Sequence, residues 1–196
     1  MSNEINSVDS FALHAWVDES MRTKHVSEPI YMLGACIADP LSCEDIRENL
    51  HRLRKKGPKL HWREMDNAAK KKSINLLNRI DVAHMVVVAA PMDPRRQERA
   101  RAKCLERLLA ELGEVGVSSV FLENRTQSLN DKDMRLIENL RGRKAMPRTL
   151  RVYIEVPSKE PMLWVPDQIL GALGESEAGN KQWAERLFGN ITRHDI

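Results

Sequence analysis

Cysteine and aromatic residues are scarce in this chain. Three of its 196 residues are cysteines, Cys36, Cys43 and Cys104, and no two of them have the short Cys-x-x-Cys spacing. This distribution argues against a structural zinc site. Because no signal peptide precedes them, unpaired thiols favour a reducing, cytoplasmic location.

The chain also lacks a long apolar run and a strong charge excess. A membrane span needs about 20 consecutive apolar residues, and no run approaches that length. With aromatic residues at only 5%, we expect a soluble protein with no membrane partner. The formal charge of +3, from 31 basic and 28 acidic residues, favours a polyanionic partner only weakly. The length predicts one domain over residues 11–196 after a flexible segment at residues 1–10.

The most informative stretch is an apolar run near the N-terminus that stops on acid. Residues 11–17 are mainly apolar or aromatic and predict a buried strand, which is followed by Asp18, Glu19 and Ser20. A metal ion or a hydrogen-bonding turn would explain charge at the end of such a strand. The alternative is that Asp18, Glu19 and Ser20 only open a polar turn.

Hydrophobic patterns predict the remaining elements. Four further strands are predicted at residues 30–38, 82–90, 117–122 and 150–156. Helices are predicted in an insertion at about residues 40–80, at about 95–114, from Asn130 with Asp133 to about 143, and after Pro166. A final amphipathic helix would carry Trp183, Leu187 and Phe188.

Acidic residues fall at defined places in this order. Asp18 and Glu123 end the first and fourth strands, Asp167 lies in the first turn of a helix, and Glu64 follows His61 in a compact loop. If the two strands are neighbours, their ends lie about 5 Å apart. Two carboxylates that close repel each other unless a cation lies between them, and carboxylate oxygens suit Mg²⁺ or Mn²⁺. The alternative for Asp167 is simple helix capping.

Three segments in this order resemble a known family, the RNase H-like proteins catalogued as domain of unknown function 3800. The segments are Asp18-Glu19-Ser20, His61-Trp62-Arg63-Glu64, and Leu163-Trp164-Val165-Pro166-Asp167 followed by Gly171-Ala172. The chain departs from the family where Met21 replaces the usual glycine and Pro166 the usual alanine. These departures concern the local backbone more than the acids.

The resemblance implies an α/β fold with an RNase H-like five-stranded mixed sheet of order 3-2-1-4-5. It implies that the first three strands are antiparallel and that the helices between strands 2 and 3 are an insertion. Asp18 would bridge two divalent ions, with Glu123 and Asp167 each holding one. Glu64 would complete the metal shell or position water, and His61 would transfer protons or contact phosphate.

The resulting hypothesis is a Mg²⁺- or Mn²⁺-dependent nuclease, or a related phosphodiester-processing enzyme, acting on DNA or RNA. Basic residues at 54–59, 95–103 and 141–144 would grip the nucleic acid backbone. The alternative is a non-catalytic module that binds nucleic acid or protein, or a component of a defence system or mobile element that needs a partner protein. The final helix suggests a homodimer.

Overall fold

The structure is a computed structural model that describes residues 12–187 and 190–196. The predicted flexible segment at residues 1–10 and the predicted helix residue Phe188 therefore lie outside the described residues. Within those ranges the chain forms a six-stranded sheet. The strands are β1 (Leu13–Arg22), β2 (Ile30–Ala38), β3 (Ala83–Ala89), β4 (Val117–Glu123), β5 (Arg151–Glu155) and β6 (Ile191–Asp195).

The strand order is β5-β4-β1-β2-β3-β6. β2 is antiparallel to both β1 and β3, whereas β4 and β5 continue in parallel from β1. The predicted order 3-2-1-4-5 is thus contained in the sheet. The prediction of five strands was wrong, because β6 adds a sixth strand parallel to β3. As an edge strand with mostly polar residues, β6 lacks the apolar pattern that reveals strands in a sequence.

Five α-helices connect or cover these strands within the described residues. They are α1 (Cys43–Leu53), α2 (Asn67–Leu77), α3 (Gln97–Glu114), α4 (Gln127–Gly142) and α5 (Trp164–Glu177). α1 and α2 lie between β2 and β3, as the predicted helical insertion requires. The expected start of α4 at Asn130 was wrong: the helix begins one turn earlier, and Asn130 and Asp133 are buried within it.

The helices cover the sheet in two layers. On one face, α3 and α4 bury an apolar cluster that includes Leu108 and Ile137. On the other face, α5 and the α1–α2 insertion bury a second cluster that includes Trp164 and Leu50. β2 is buried along its whole length because it lies between these layers.

The first strand and the final helix differ from the prediction. β1 does not stop at the acids but continues through them to Arg22, because its pairing with β2 extends to the pair Arg22–Ile30. The predicted final helix was wrong: only a short 3₁₀ turn, Ala184–Arg186, follows Trp183. Trp183 itself is 3% exposed, so it does not provide the exposed apolar surface on which the predicted homodimer rested.

Candidate active site

The side chains of Asp18, Glu123 and Asp167 line one cavity of about 330 Å³. They come from three separate elements: β1, the last residue of β4, and the first turn of α5. Lys59 and His61, which belong to the loop between α1 and α2, line the same cavity. The structure therefore brings four of the five predicted site residues to one place and adds a lysine.

Strand register places the first two carboxylates side by side. The parallel pairing of β1 with β4 ends at the pair Val17–Leu122, and Asp18 and Glu123 are the next residue on each strand. Successive side chains on a strand point to opposite faces, so residues that follow a paired position share a face. Asp18 and Glu123 thus both face the layer that contains α5.

A close approach of α5 brings the third carboxylate to the same point. Gly34 lies opposite Asp18 in the β1–β2 register, and a Cβ atom on Gly34 would lie only 2.9 Å from Cδ2 of Leu170. Leu170 is on α5 nearly one turn after Asp167, so the bare backbone at Gly34 lets this part of the helix approach the sheet. Asp167 is then fixed by its Oδ2, which accepts the backbone N–H of Trp62 at 2.8 Å.

The ammonium group of Lys59 lies among the three carboxylates. Its Nζ donates to Asp18 Oδ2 at 2.7 Å and also to Glu123 Oε2, and it lies 3.9 Å from Asp167 Oδ1. The Lys59 side chain is only 4% exposed. Sequence analysis missed this role, because Lys59 closes a run of basic residues that resembles a solvated loop. The one available signal was that three converging acids need a positive charge nearby.

Burial and the neighbouring charges shift the pKa values of Asp18 and Lys59. Burial is the main cause that raises the pKa of Asp18 to about 7, with the Glu123 and Asp167 carboxylates adding to it, while Lys59 opposes the rise. For Lys59, burial disfavours the charge, but the carboxylates outweigh burial and raise its pKa above the usual range. The lysine therefore remains charged at neutral pH, and the positive charge it supplies offsets part of the repulsion among the acids.

His61 stands beside Asp167 at the rim of the cavity. Its Nδ1 lies 3.7 Å from Asp167 Oδ1, a distance typical of an ion pair rather than of a hydrogen bond, and its side chain is 31% exposed. The Asp167 carboxylate raises the pKa of His61, and partial burial offsets some of that effect. A half-buried imidazole whose charged form is favoured can contact an anion or carry a proton at this rim.

Glu64 does not join the carboxylate cluster. It lies in a short 3₁₀ turn, Trp62–Glu64, and is exposed. Its side chain lines a neighbouring cavity of about 270 Å³, which Lys59 and His61 also border. Among the predicted metal ligands, Glu64 is thus the one that the fold places apart from Asp18, Glu123 and Asp167.

Glu19, the acid next to Asp18, faces the opposite layer. It accepts from Nη1 of Arg101 at 2.6 Å, and Arg101 also donates to Asp133 through Nη2 at 2.7 Å and Nε at 3.0 Å. Arg101 is 3% exposed and Asp133 is 5% exposed. The expectation that Arg101 grips nucleic acid was therefore wrong, because α3 turns this residue inward and its donors are used by buried carboxylates.

The predicted basic segments lie at different ends of the sheet. The loop at residues 54–59 leads directly into the cavity through Lys59. α3 follows the end of β3, and β3 runs in the same direction as β1, so the exposed Arg95, Arg96 and Arg99 lie at the end of the sheet toward which β1 runs. By contrast, Arg141 donates to the carbonyl of Leu150, just before β5, at the opposite end.

The carboxylates around Lys59 have the donor chemistry that a divalent cation needs. Three carboxylates contact the Lys59 ammonium, and carboxylate oxygens are the ligands that Mg²⁺ and Mn²⁺ prefer. Within residues 12–187 and 190–196, no group of three or more His, Cys, Asp or Glu side chains is arranged as a ready metal site. The chemistry of the donors thus fits a hard cation, but a lysine holds the central position.

Comparison with known proteins places the fold. No family model matches the chain, and no curated protein matches it. A solved structure of RNase HII from Archaeoglobus fulgidus, in complex with PCNA, matches with 16% identity and a TM-score of 0.54, covering 90% of this chain and 80% of that chain. The ribonuclease H2 of Pyrococcus horikoshii OT3 matches with 15% identity and a TM-score of 0.52, over 90% and 79% of the two chains.

A point mutant of Bst-RNase HIII also matches, with 13% identity and a TM-score of 0.51, over 84% of this chain and 52% of that chain. At such low identities the similarity concerns the fold alone. The described residues thus form an α/β fold of the RNase H type with a mixed six-stranded sheet. In the described part of the chain, no helix is long and apolar enough to cross a membrane.

Proposed function

We propose that this protein is a divalent-metal-dependent nuclease, or a related phosphodiester-processing enzyme, that acts on nucleic acid as a single RNase H-like domain. One observation carries the proposal. Three carboxylates from separate elements, Asp18, Glu123 and Asp167, converge on one cationic group in a cavity at an end of the sheet. Burying three carboxylates close together costs stability unless a cation compensates their charge. A cluster that destabilises the fold in this way is more readily explained by a function than by folding.

Asp18, Glu123 and Asp167 would hold Mg²⁺ or Mn²⁺. When bound in a carboxylate site, such an ion polarises a phosphoryl oxygen and lowers the pKa of water. Lys59, whose side chain borders the cavity, would contact the substrate phosphate as a point charge. His61, at the rim, would hold a proton for the leaving oxygen. Glu64 would position water from the neighbouring cavity and would not bind the metal.

The surroundings of the cavity support a polyanionic substrate. The basic loop at residues 54–59 leads into the cavity and would bind backbone phosphates there. The exposed Arg95, Arg96 and Arg99, in the turn before α3 and in its first residues, lie at the same end of the sheet but on its other face, so they would contact phosphates only away from the cavity. Residues 141–144 lie at the other end and would not share in that contact. We also propose membership of the family catalogued as domain of unknown function 3800, on the three matching segments, and a cytoplasmic location, supported by three buried free cysteines.

A second function is favoured by one observation. Because Lys59 already neutralises part of the cluster and no ready metal site is present among the described residues, the domain would also be stable as a non-catalytic module that binds nucleic acid. The fold alone does not decide between the two, since one fold supports many activities.

Substitution of Asp18 separates the two functions. Labelled single-stranded DNA, duplex DNA, RNA and RNA–DNA hybrid would be incubated with wild type or Asp18→Asn in EDTA, Mg²⁺ or Mn²⁺. The enzyme hypothesis predicts products that need the metal and that fall by about a hundredfold or more in the variant, the order expected when a metal-holding or charge-stabilising group is lost.

Asp81→Asn is the matched control. Asp81 is exposed and precedes β3 at the end of the sheet away from the cavity, so this variant should cut like wild type. If wild type cuts none of the four substrates with either metal but retains salt-dependent binding, the nuclease assignment is wrong and the binding-module function replaces it.

A further inference from the structure

We propose that Lys59 is a permanent cation of the carboxylate site and that the site accordingly takes one divalent ion, not two. The inference rests on the proposed metal dependence and defines it further. The family resemblance implied two divalent ions, and the inference replaces one of them with a side chain of this protein. The carboxylates then have a fixed positive partner before any metal or substrate arrives.

The contacts of Lys59 are those of a built-in counter-ion. Its Nζ is within salt-bridge distance of Asp18, Glu123 and Asp167. An ammonium group has three N–H donors, and two of them are used by Asp18 and Glu123 at hydrogen-bond distance. The remaining contact, to Asp167, is the longest at 3.9 Å. The third donor is therefore the one available to a phosphate oxygen in the cavity.

The backbone next to Lys59 is hydrogen-bonded to α5, so a loop movement that would carry the side chain out of the site is disfavoured. The carbonyl of Leu60 accepts from Nε2 of Gln168 at 2.9 Å, and the N–H of Trp62 donates to Asp167 Oδ2 at 2.8 Å. Both bonds join this loop to α5. Lys59 and Leu60 are each 5% exposed. These anchors favour a lysine that remains in the site over one that a metal displaces.

Charge balance points the same way. When all three carboxylates are ionised they bring three negative charges, and one ammonium leaves two uncompensated. One divalent ion neutralises these two charges, whereas two divalent ions beside Lys59 would leave an excess of two positive charges in a partly buried cavity. Glu123 and Asp167 are the more exposed acids, at 21% and 19%, and both face the cavity where an ion would enter.

The experiment is a titration of Mn²⁺ into the full chain at pH 8 without nucleic acid, by calorimetry and by electron paramagnetic resonance of the free ion. Wild type should bind one Mn²⁺ per chain. In Lys59→Met, a second Mn²⁺ should bind, or the first should bind about tenfold or more tightly, because the repulsive charge beside it is gone. Lys72→Met is the control: Lys72 is exposed on α2, and this variant should match wild type.

Each other result contradicts the inference. Binding of two ions by wild type would show that Lys59 does not hold a cation position, while leaving the proposed nuclease function intact. Binding of none by wild type would contradict the metal dependence as well. Unchanged stoichiometry and affinity in Lys59→Met would also overturn the role of Lys59. Lys59→Gln serves as a second neutral variant, and the wild-type stoichiometry alone remains decisive if neither variant folds.

Discussion

Gly171→Ala tests the packing that joins the loop of Lys59 and His61 to α5. A Cβ atom at Gly171 would lie 2.1 Å from Cγ and 2.3 Å from Cδ1 of Trp62, more than an ångström inside the 3.4–4 Å of ordinary contact. Trp62 has little room to retreat. Its Nε1 donates to Glu175 at 2.7 Å, its ring is T-shaped against Trp183, and its backbone N–H is bonded to α5.

Two opposing effects set the size of the change. Alanine is favoured over glycine by about 1 kcal/mol inside a helix. Overpacking of a fixed core typically costs about 1 to 3 kcal/mol, and more when rigid groups collide. Because the collision involves an indole ring at its point of attachment, we expect an overpacking cost of about 4 kcal/mol, just above that range. After the gain of about 1 kcal/mol from alanine, the net loss in the free energy of unfolding is about 3 kcal/mol. For a chain of this size that corresponds to a fall in Tm of about 6 to 12 °C.

The assay is urea and thermal unfolding followed by circular dichroism. Gly142→Ala is the matched control, since a Cβ atom there meets nothing within 4 Å; this variant should be unchanged or slightly more stable. Gly171→Ala should also weaken Mn²⁺ binding, because moving Trp62 from α5 breaks its hydrogen bond to Asp167. A Gly171→Ala protein as stable as wild type would refute the close contact between Trp62 and α5.

Three further predictions concern buried polar groups and thiols. Arg101→Met should lower the free energy of unfolding by about 3 kcal/mol, because Asp133 keeps a buried charge without its main partner, whereas Arg99→Met, at an exposed site, should have little effect in the same urea titration. Burial lowers the pKa of His84 from 6.5 to about 4. The unfolded chain therefore binds a proton that the folded chain does not, and stability should fall by about 3 kcal/mol as pH drops from 6.5 to 4; a His84→Leu protein that shows the same acid loss would refute this source. Finally, burial raises the pKa of all three thiols, so a thiol reagent should label none in the native protein and three after denaturation; rapid native labelling would contradict their burial.

Local sequence patterns were sufficient for most of the architecture. The apolar run of β2 and the β-branched run of β3 identified central strands, since a strand between two helical layers is apolar on both faces. The same reasoning placed the helical insertion between them. It failed where the pattern is weak: β6 is a polar edge strand, and α4 contains Asn130 and Asp133, which resemble a cap in sequence but pack inside the fold.

The acids of the site could be selected from the sequence because strand ends and helix starts are local features. Asp18, Glu123 and Asp167 were selected in this way. His61 was selected because it lies in a compact polar-aromatic loop and in a segment that resembles the family. Glu64 was grouped with them on a matching segment, but the 3₁₀ turn directs it to a neighbouring cavity. Asp18 and Glu19 point to opposite faces because side chains alternate along a strand. The partner of Glu19, Arg101, lies on a helix distant in sequence and could not be identified from the local pattern.

Residue patterns located the five apolar strands, the helical insertion and the candidate acids, because hydrophobic periodicity and residue type act over a few neighbouring positions. The RNase H-like fold and the strand order 3-2-1-4-5 were implied by the family resemblance and not by these patterns. Three features became visible only in the folded chain: Lys59 lies among those acids, Arg101 turns inward, and one basic segment lies at the far end of the sheet. These outcomes depend on how elements distant in the chain pack together. A lysine in a basic run has the same local sequence whether its ammonium group faces water or three carboxylates.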